Sequence, residues 1–484
     1  MNDTTAEPRL LLALTPVVIL VISLGTAVAL FGDATASGPG QIALMSAGII
    51  AGLIGIRQGF SWAELEKATA ISVSSAMPAI FILLMVGALV GVWMLSGTVP
   101  FLIYWGLQII APEIFYVATV VICSIVSVSI GSSWTTAGTV GIALIGIAAA
   151  AGMSVEVTAG AIISGAYFGD KLSPLSDSTN LAAAVSGAEL FEHIQFLLWT
   201  TIPALLVALL YFGFASMNAT AEMDQQRIIS ISKAIEENYN LPLWALLPAM
   251  VTLGMAVFRQ PALLALISGV ITAAIVALFI QPGVMLGPDG DESALGALKN
   301  IWLTAANGYE ASTGHEALDD LLSRGGMESI LPTVWLILSA MFFGGMMEKS
   351  GCLRTIVRYM LTGVDSGGSL MRRAGLTSLA ANVIASDQYL AIVLPAQMYA
   401  DKFSEMGLKP KNLSRVVEDY GTTTSALVPW NTCGAFMAST LGVGTFAYLP
   451  YCVFNIASPI FSFVYASLNF KVELMDEEPE QVVV

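Results

Sequence analysis

Long apolar runs separated by short polar stretches set the pattern of this chain. Leu10–Phe31, Gln41–Ile56, Ala70–Leu95 and His193–Ser216 in the first half read as helices long enough to cross a bilayer. So do Leu241–Phe258, Ala262–Ile280, Ile330–Met347 and Gly444–Leu468 in the second. About 20 apolar residues at roughly 1.5 Å each suffice for one crossing. Two apolar segments are interrupted instead. TAGAIISGAYFGDKLSPLSDSTNLAAAVSG, from Thr158 to Gly187, runs as an apolar helix, turns polar over Gly169 to Ser178, and resumes. GTTTSALVPWNT, from Gly421 to Thr432, interrupts the second half in the same way. Unpaired backbone in hydrocarbon costs several kcal/mol per group, so irregular chain at membrane depth survives where it lines a site or cavity.

Composition turns this pattern into a class. The 484 residues are 56% hydrophobic and 11% charged, with mean hydropathy +0.78, which excludes an ordinary soluble domain. The expected fold is an all-α polytopic membrane protein with about ten to twelve crossings. The net charge of -16 sits mostly in polar connecting segments and the tail MDEEPEQVVV, so it describes solvated loops rather than a partner, and no nucleic acid is expected. Cys123, Cys352, Cys433 and Cys452 lie in apolar surroundings without a CxxC pair, and His193 and His315 are the only histidines. Neither a disulfide framework nor a zinc site follows. HExxH, GxSxG and P-loop motifs are absent, so an enzyme is not expected. Leu10–Phe31 is too long for a signal-peptide core and is preceded in its basic leader by Arg9 alone, so it is read as a span.

The halves resemble each other. A shift of 254 positions lays Met77–Leu107 on Leu331–Leu361, aligning Pro78 with Pro332, Gly91 with Gly345, and Ser96-Gly97 with Ser350-Gly351; it also pairs Ser132 with Ser386 and Asp177 with Asn431. Charge orients the two copies. Lys349, Arg354, Arg358, Arg372 and Arg373 fall where the first half, Met94–Thr119, has no Lys or Arg; Lys402, Lys409, Lys411 and Arg415 likewise face Ala148–Ala161, which has none. Conversely, Arg57 and Lys67 answer to the acidic loop Gln281–Glu328. Basic residues mark the cytoplasmic side, so the repeats are expected to be inverted, as is common in secondary transporters.

The domains expected are a first inverted repeat (1–216), an extracytoplasmic linker (217–240), a second repeat (241–470) and an acidic cytoplasmic tail (471–484), with both termini cytoplasmic in the inner membrane. The apolar pairs Ile114–Ile130 with Thr135–Gly152, and Arg373–Ala385 with Tyr389–Tyr399, read as re-entrant hairpins with tips at Gly131–Gly138 and Ala381–Gln388; ordinary spans remain the alternative. Two tips and two broken helices would then converge near the midplane, where substrate and coupling ion bind.

Hard oxygen ligands dominate these breaks and suit Na+. The first centre offers Ser173, Ser176, Asp177, Ser178, Thr179 and Asn180, and the second offers Thr422, Thr423, Thr424, Asn431 and Thr432. The tips add Ser132, Ser133, Thr135, Thr136, Asn382, Ser386 and Asp387. Asp177 is either an N-cap or an ion or proton site, Asp387 an Asx-turn or an ion site, and Asp170 a proton carrier or a structural partner of Lys171. The Na+ ligands expected are Asp177, Asn180 and Asp387, with proton coupling at Asp177, Asp387 and Asp170. A carboxyl that alternates between a proton and Na+ is a minimal exchanger, because both cations compete for one site. Trp134, Tyr389 and Trp430 flank the breaks, either as packing anchors or as a stacking surface for an organic substrate.

The blocks GSSWTTAGTVGIAL, ISGAYFGDKLSPLSDSTNLAA, ASDQYLAIVLP and EDYGTTTSALVPWNTCGAFMA resemble the signature stretches of the NhaC-type sodium/proton antiporter family, within the ion transporter superfamily. The resemblance covers roughly Pro78–Leu190 and Leu331–Gly444. It implies an elevator-type transporter: a mobile core of about 113–187 plus 369–441, and a dimerising scaffold from the remainder. It also implies functional positions at Asp170, Asp177, Asn180, Asp387, Asp419, Asn431 and Thr432. The expected activity is Na+/H+ exchange by alternating access, with the bilayer and a small cation as partners and no cofactor beyond the transported ions. The rival is Na+- or H+-coupled carriage of a small organic solute, an amino acid or carboxylate, on the same fold. A channel is a third class.

Overall fold

The computed structural model describes residues 8–31, 35, 38–219, 225–281, 293–360 and 366–475. Most of the acidic tail, from residue 476 on, lies outside them, as do 220–224 of the linker and 282–292 of the acidic loop. The described residues are almost entirely helical, and their one β-type pairing is an isolated bridge between Leu408 and Leu474. Among the described residues, seven helices are long and apolar enough to cross a membrane, or up to nine if each of two bent pairs counts as one span. This is fewer than the ten or more inferred from length. The shortfall arises where apolar runs break: the run expected at Gly444–Leu468 divides into Thr445–Tyr448, Leu449–Tyr451 and Val453–Ser467, with Pro450 inside the break. The polar connections are not bare loops either. They contain the helices Gln225–Asn238, Ala294–Asn307 and Glu316–Leu322.

Two packing groups emerge. Trp62–Leu95, the longest helix, starts at a capping box in which the Ser61 N–H donates to Glu64 Oε2 (2.8 Å) and the Glu64 N–H to Ser61 Oγ (3.3 Å). It packs against Leu331–Lys349 and Ala262–Ile280, and Leu331–Lys349 also packs against Pro39–Arg57. The second group joins Phe115–Ile130, Val155–Leu172, Leu190–Ala219, Gly367–Ile384, Gln388–Glu405 and Val453–Ser467. Its closest pair is Phe115–Ile130 against Val155–Leu172. There a Cβ added at Gly165 would stand 2.4 Å from the Val120 carbonyl oxygen, and one at Gly169 would stand 2.5 Å from Ser127 Cβ. Small residues four apart let two backbones touch, the interface expected where lipid supplies no hydrophobic drive between helices. Outward faces stay apolar, with Leu210, Phe214 and Phe279 exposed.

Element boundaries recur between the halves. Gly97 and Gly351, 254 positions apart, both carry positive φ (78° and 76°) directly after a long helix. Gly187 and Gly442, 255 apart, both end a ten-residue helix in the left-handed conformation.

Candidate functional site at two broken helices

The first break follows from its sequence. Val155–Leu172 ends at Ser173, which is extended (φ -82°, ψ 128°), as the residue before Pro174 is driven to be. Ser176 then caps Asp177–Ser186, its side chain accepting from the Thr179 N–H. Asp177 is therefore the first helical residue rather than the cap, well placed against the helix dipole. In the second break, Pro410–Val417 passes into a π-helical stretch, Glu418–Thr422, then Thr423–Ser425, and the chain resumes at Thr432–Leu441 with Asn431 as cap. π-turns inside α-helices concentrate at functional sites.

The hairpin tips are tighter than the eight-residue stretches expected. Gly131 (φ 76°) turns the first and Ser386 (φ 60°) the second, 255 positions later. A Cβ at Gly131 would meet the Leu175 carbonyl carbon at 2.6 Å, so this tip lies directly on the first break. Each tip also hooks a broken helix by its side chains. The Ser133 N–H and hydroxyl donate to Asp170 Oδ2 (3.1 and 2.6 Å); in the second half the Ser425 hydroxyl donates to Gln388 Oε1 (3.0 Å). Residues 133 and 170 correspond to 388 and 425 at a shift of 255.

Around the second tip, Asn382 Nδ2 donates to the Gly421 carbonyl (2.7 Å) and Thr424 Oγ1 (3.0 Å), and Asn431 Nδ2 donates to Asn382 Oδ1 (3.0 Å). Asp387 caps Gln388–Glu405 through the Leu390 N–H (3.0 Å) and lies 3.5 Å from the Thr432 hydroxyl, while the Thr432 N–H donates to the Ser386 carbonyl. Ser386, Asn382, Asn431, Thr432 and Asp387 thus form one buried cluster.

The charges sit where the broken helices cross. Lys171 is paired with Asp419, both fully buried, and the pair is completed by Thr200 and Ser458: Thr200 Oγ1 is 2.8 Å from Asp419 Oδ1, and Lys171 Nζ is 2.8 Å from Ser458 Oγ. This overturns the alternative that Lys171 pairs with Asp170. Adjacent helical residues point about 100° apart, and Asp170 turns instead to the tip serine. Glu418 is fully buried, its Oε1 accepting long bonds from Ser178 and Thr179 (3.4 Å each). Asp170 Oδ1, Glu418 Oε2, Asp419 Oδ2 and Thr422 Oγ1 are buried and make no well-formed hydrogen bond among the described residues. Arg415, buried four residues before Asp419, donates to the Lys471 carbonyl and lies over the Phe196 ring, so Lys171 is the cation paired at the crossing and the buried carboxyls outnumber it.

The remaining expected residues separate. Asp177 and Asn180 are exposed. The Tyr389 hydroxyl donates to Asp177 Oδ2 at 2.6 Å, joining the halves, and Asn180 Nδ2 donates to the carbonyls of Pro174 and Ser176. Thr136 donates to the Ser132 carbonyl and Thr423 to that of Asp419, both four positions back, while Ser173 donates across to the Val128 carbonyl. Trp134 stacks on Phe436 (centroids 4.1 Å apart, 14°), and Trp430 Nε1 donates to the Val383 carbonyl (2.8 Å), so both rings are held by protein. Tyr389 is the most open of the three aromatics.

A cavity of about 730 Å³ is lined by Val86, Val90, Ile142, Ile145 and Thr440, with Arg324 and Glu310 as its charged residues. Sequence reasoning passed over Arg324 because it lies in the acidic connection. It passed over Glu418 because Asp419 beside it carried the family resemblance; the doublet of acids in VVEDYG was the available signal.

The family description "Na+/H+ antiporter family" matches residues 165–470. The Na(+)/H(+) antiporter NhaC of Alkalihalophilus pseudofirmus is 36% identical over 425 residues, 88% of this chain and 89% of that protein. The malate-2H(+)/Na(+)-lactate antiporter of Bacillus subtilis is 37% identical over 414 residues, 85% of this chain and 86% of its own. The arginine/ornithine antiporter ArcD of Halobacterium salinarum is 35% identical over 428 residues, 87% and 86%.

Proposed function

Starting from the fact that the chain belongs to the Na+/H+ antiporter family, a family of membrane transporters and not enzymes, we propose that it exchanges Na+ for H+ across the cytoplasmic membrane by alternating access. The observation that carries this reading is the excess of buried carboxyl over buried cation at the crossing of the two broken helices. An unpaired buried charge is costly, so the crossing needs a small cation, and a proton or Na+ serves. Exchange follows if the uncompensated site crosses poorly between its two access states.

The recurrence of helix ends at 254 or 255 positions supports two repeats, and the opposite placement of Lys and Arg supports their inversion with both termini cytoplasmic. In this reading the tips and broken helices, about 113–187 and 369–441, move as an elevator against a homodimeric scaffold built around Trp62–Leu95 and Leu331–Lys349. The tips enter and leave on one face. Asp387, Asn382, Asn431 and Thr432 serve as the second half's polar centre, and Asp177 acts with Tyr389 at the junction of the halves. The transported ions are the only small partners required, and no cofactor enters.

A second reading, coupled transport of a small organic solute, is favoured by one feature, the Arg324 cavity, whose volume suits a small molecule. Two relatives are named for organic solutes, malate and lactate in one and arginine and ornithine in the other. Purified protein in sealed liposomes with an internal pH dye separates the readings: Na+ alone dissipates an imposed pH gradient under the first, and only an added organic solute does so under the second.

A further inference from the structure

Among the polar groups that converge at the breaks, those with unpartnered oxygens differ from the Na+ ligands the sequence suggests, Asp177, Asn180 and Asp387. Both carboxylate oxygens of Asp177 are engaged, Oδ1 by the Ser178 N–H (2.8 Å) and Oδ2 by Tyr389 (2.6 Å), and the residue is exposed. Asn180 is exposed, and its Nδ2 is tied to the carbonyls of Pro174 and Ser176. Asp387 is committed to capping a helix and to Thr432. At the crossing the position is reversed: Asp170 Oδ1, Glu418 Oε2 and Thr422 Oγ1 are buried and make no well-formed hydrogen bond among the described residues, with Ser176 beside Asp170 and Thr422 beside Glu418.

The two segments that carry these atoms are held together by the protein itself. The Thr179 hydroxyl lies 3.3 Å from the Asp170 carbonyl oxygen and 3.4 Å from Glu418 Oε1, so one side chain bridges the two broken helices. Glu418 and Thr422 begin and end the same π-helical stretch. Asp170 is fixed from behind by Ser133, which uses Oδ2 and leaves Oδ1 free. Among the described residues no three His, Cys, Asp or Glu side chains converge as a metal-ligand set. A cation here would draw on hydroxyl oxygens beside two carboxylates, a hard, all-oxygen shell.

We infer that Na+ is bound at this crossing, by Asp170 and Glu418 from the two halves with Thr422 as a neutral ligand, and not by Asp177 and Asn180. The assignment rests on the Na+/H+ exchange reading and names its ion site. The Lys171–Asp419 pair lies alongside and acts as a fixed counter-charge; its ammonium is already satisfied by Asp419 and Ser458, so it does not fill the vacancy at Glu418.

Binding of radiolabelled Na+ to the purified full-length protein in detergent, at constant ionic strength held with choline chloride, tests this directly. Wild type should saturate. Glu418→Gln and Asp170→Asn should each weaken binding by about tenfold or more, the loss of one charged ligand, Glu418→Asp should weaken it less, and Asp177→Asn should stay within about twofold. Should Glu418→Gln elute as aggregate, Thr422→Val removes a ligand while keeping side-chain shape, and a severalfold loss is expected there. Wild-type affinity in the Asp170, Glu418 and Thr422 variants overturns the site, as does loss of binding in Asp177→Asn alone or no saturation in wild type. Parallel vesicle assays keep the two levels apart. Na+-driven proton flux in wild type with unaltered binding in the crossing variants defeats the site alone; saturable binding at the crossing without any flux defeats the exchange reading alone.

Discussion

Lys171 and Asp419, 248 residues apart in the chain, form an ion pair from which water is excluded on both sides. The pair ties the end of Val155–Leu172 to the π-helical stretch of the second half, with Thr200 and Ser458 closing the shell. Removing one member strands the other. Lys171→Gln or Asp419→Asn alone should each destabilise the protein by about 3–5 kcal/mol, whereas the double variant should recover part of the loss, because a buried pair is worth less than the penalty for breaking it. Thermal unfolding of the detergent-purified variants measures this, and additive losses in the double variant would show that the pair is not coupled.

The Tyr389–Asp177 hydrogen bond crosses between the halves at an exposed position, where it can break and reform during a cycle. Tyr389→Phe and Asp177→Asn should change the transport rate to a similar degree, and the double variant should be no worse than either single one. Stability should barely move. Rates that multiply would mean that the two residues act separately.

Ser386 holds a left-handed backbone that its counterpart Gly131 adopts freely, and its buried hydroxyl makes no hydrogen bond among the described residues. Such strain persists where the surroundings enforce it and clusters at functional sites. Ser386→Gly should relieve the steric cost of the left-handed conformation, about 1–2 kcal/mol, offset in part by the greater freedom of glycine in the unfolded chain. The expected result is a small rise in the unfolding temperature together with slower transport. A rise in temperature with unchanged transport would make the strain incidental.

Much of this architecture was legible because hydropathy and proline chemistry act locally. Pro174 and the serines around it announced the first break to within a few residues, and Leu10–Phe31 and Ala262–Ile280 were delimited correctly by apolar content alone. What depended on distant packing was not legible. Nothing in the sequence distinguishes Asp170 from Lys171 in direction; the helix phase sends one to Ser133 and the other to Asp419. Glu418 resembles any acid near a helix turn until the fold buries it fully. Asp177, the most conspicuous acid by position, proves exposed because the start of its helix faces the junction with Tyr389 rather than the interior.

Arg324, with Glu310 one of the two charged residues lining the cavity, offers a test between the two substrate readings. If cations alone are carried, Arg324→Gln should leave Na+-driven proton flux within about twofold of wild type, since a half-open charge in high dielectric contributes little. A variant that loses transport of an organic acid while retaining its fold would place that cavity on the substrate path.

The central claim is that Na+ and H+ share one carrier, and flux across a sealed membrane tests it most directly. The purified protein is reconstituted into liposomes containing a pH dye, an acid-inside gradient is imposed, and Na+ is added outside with and without a panel of organic acids and amino acids. Prompt alkalinisation of the interior on Na+ alone, saturating with Na+ concentration and absent from protein-free vesicles, is the expected result. A gradient that ignores Na+ but collapses when one organic solute is supplied would contradict it.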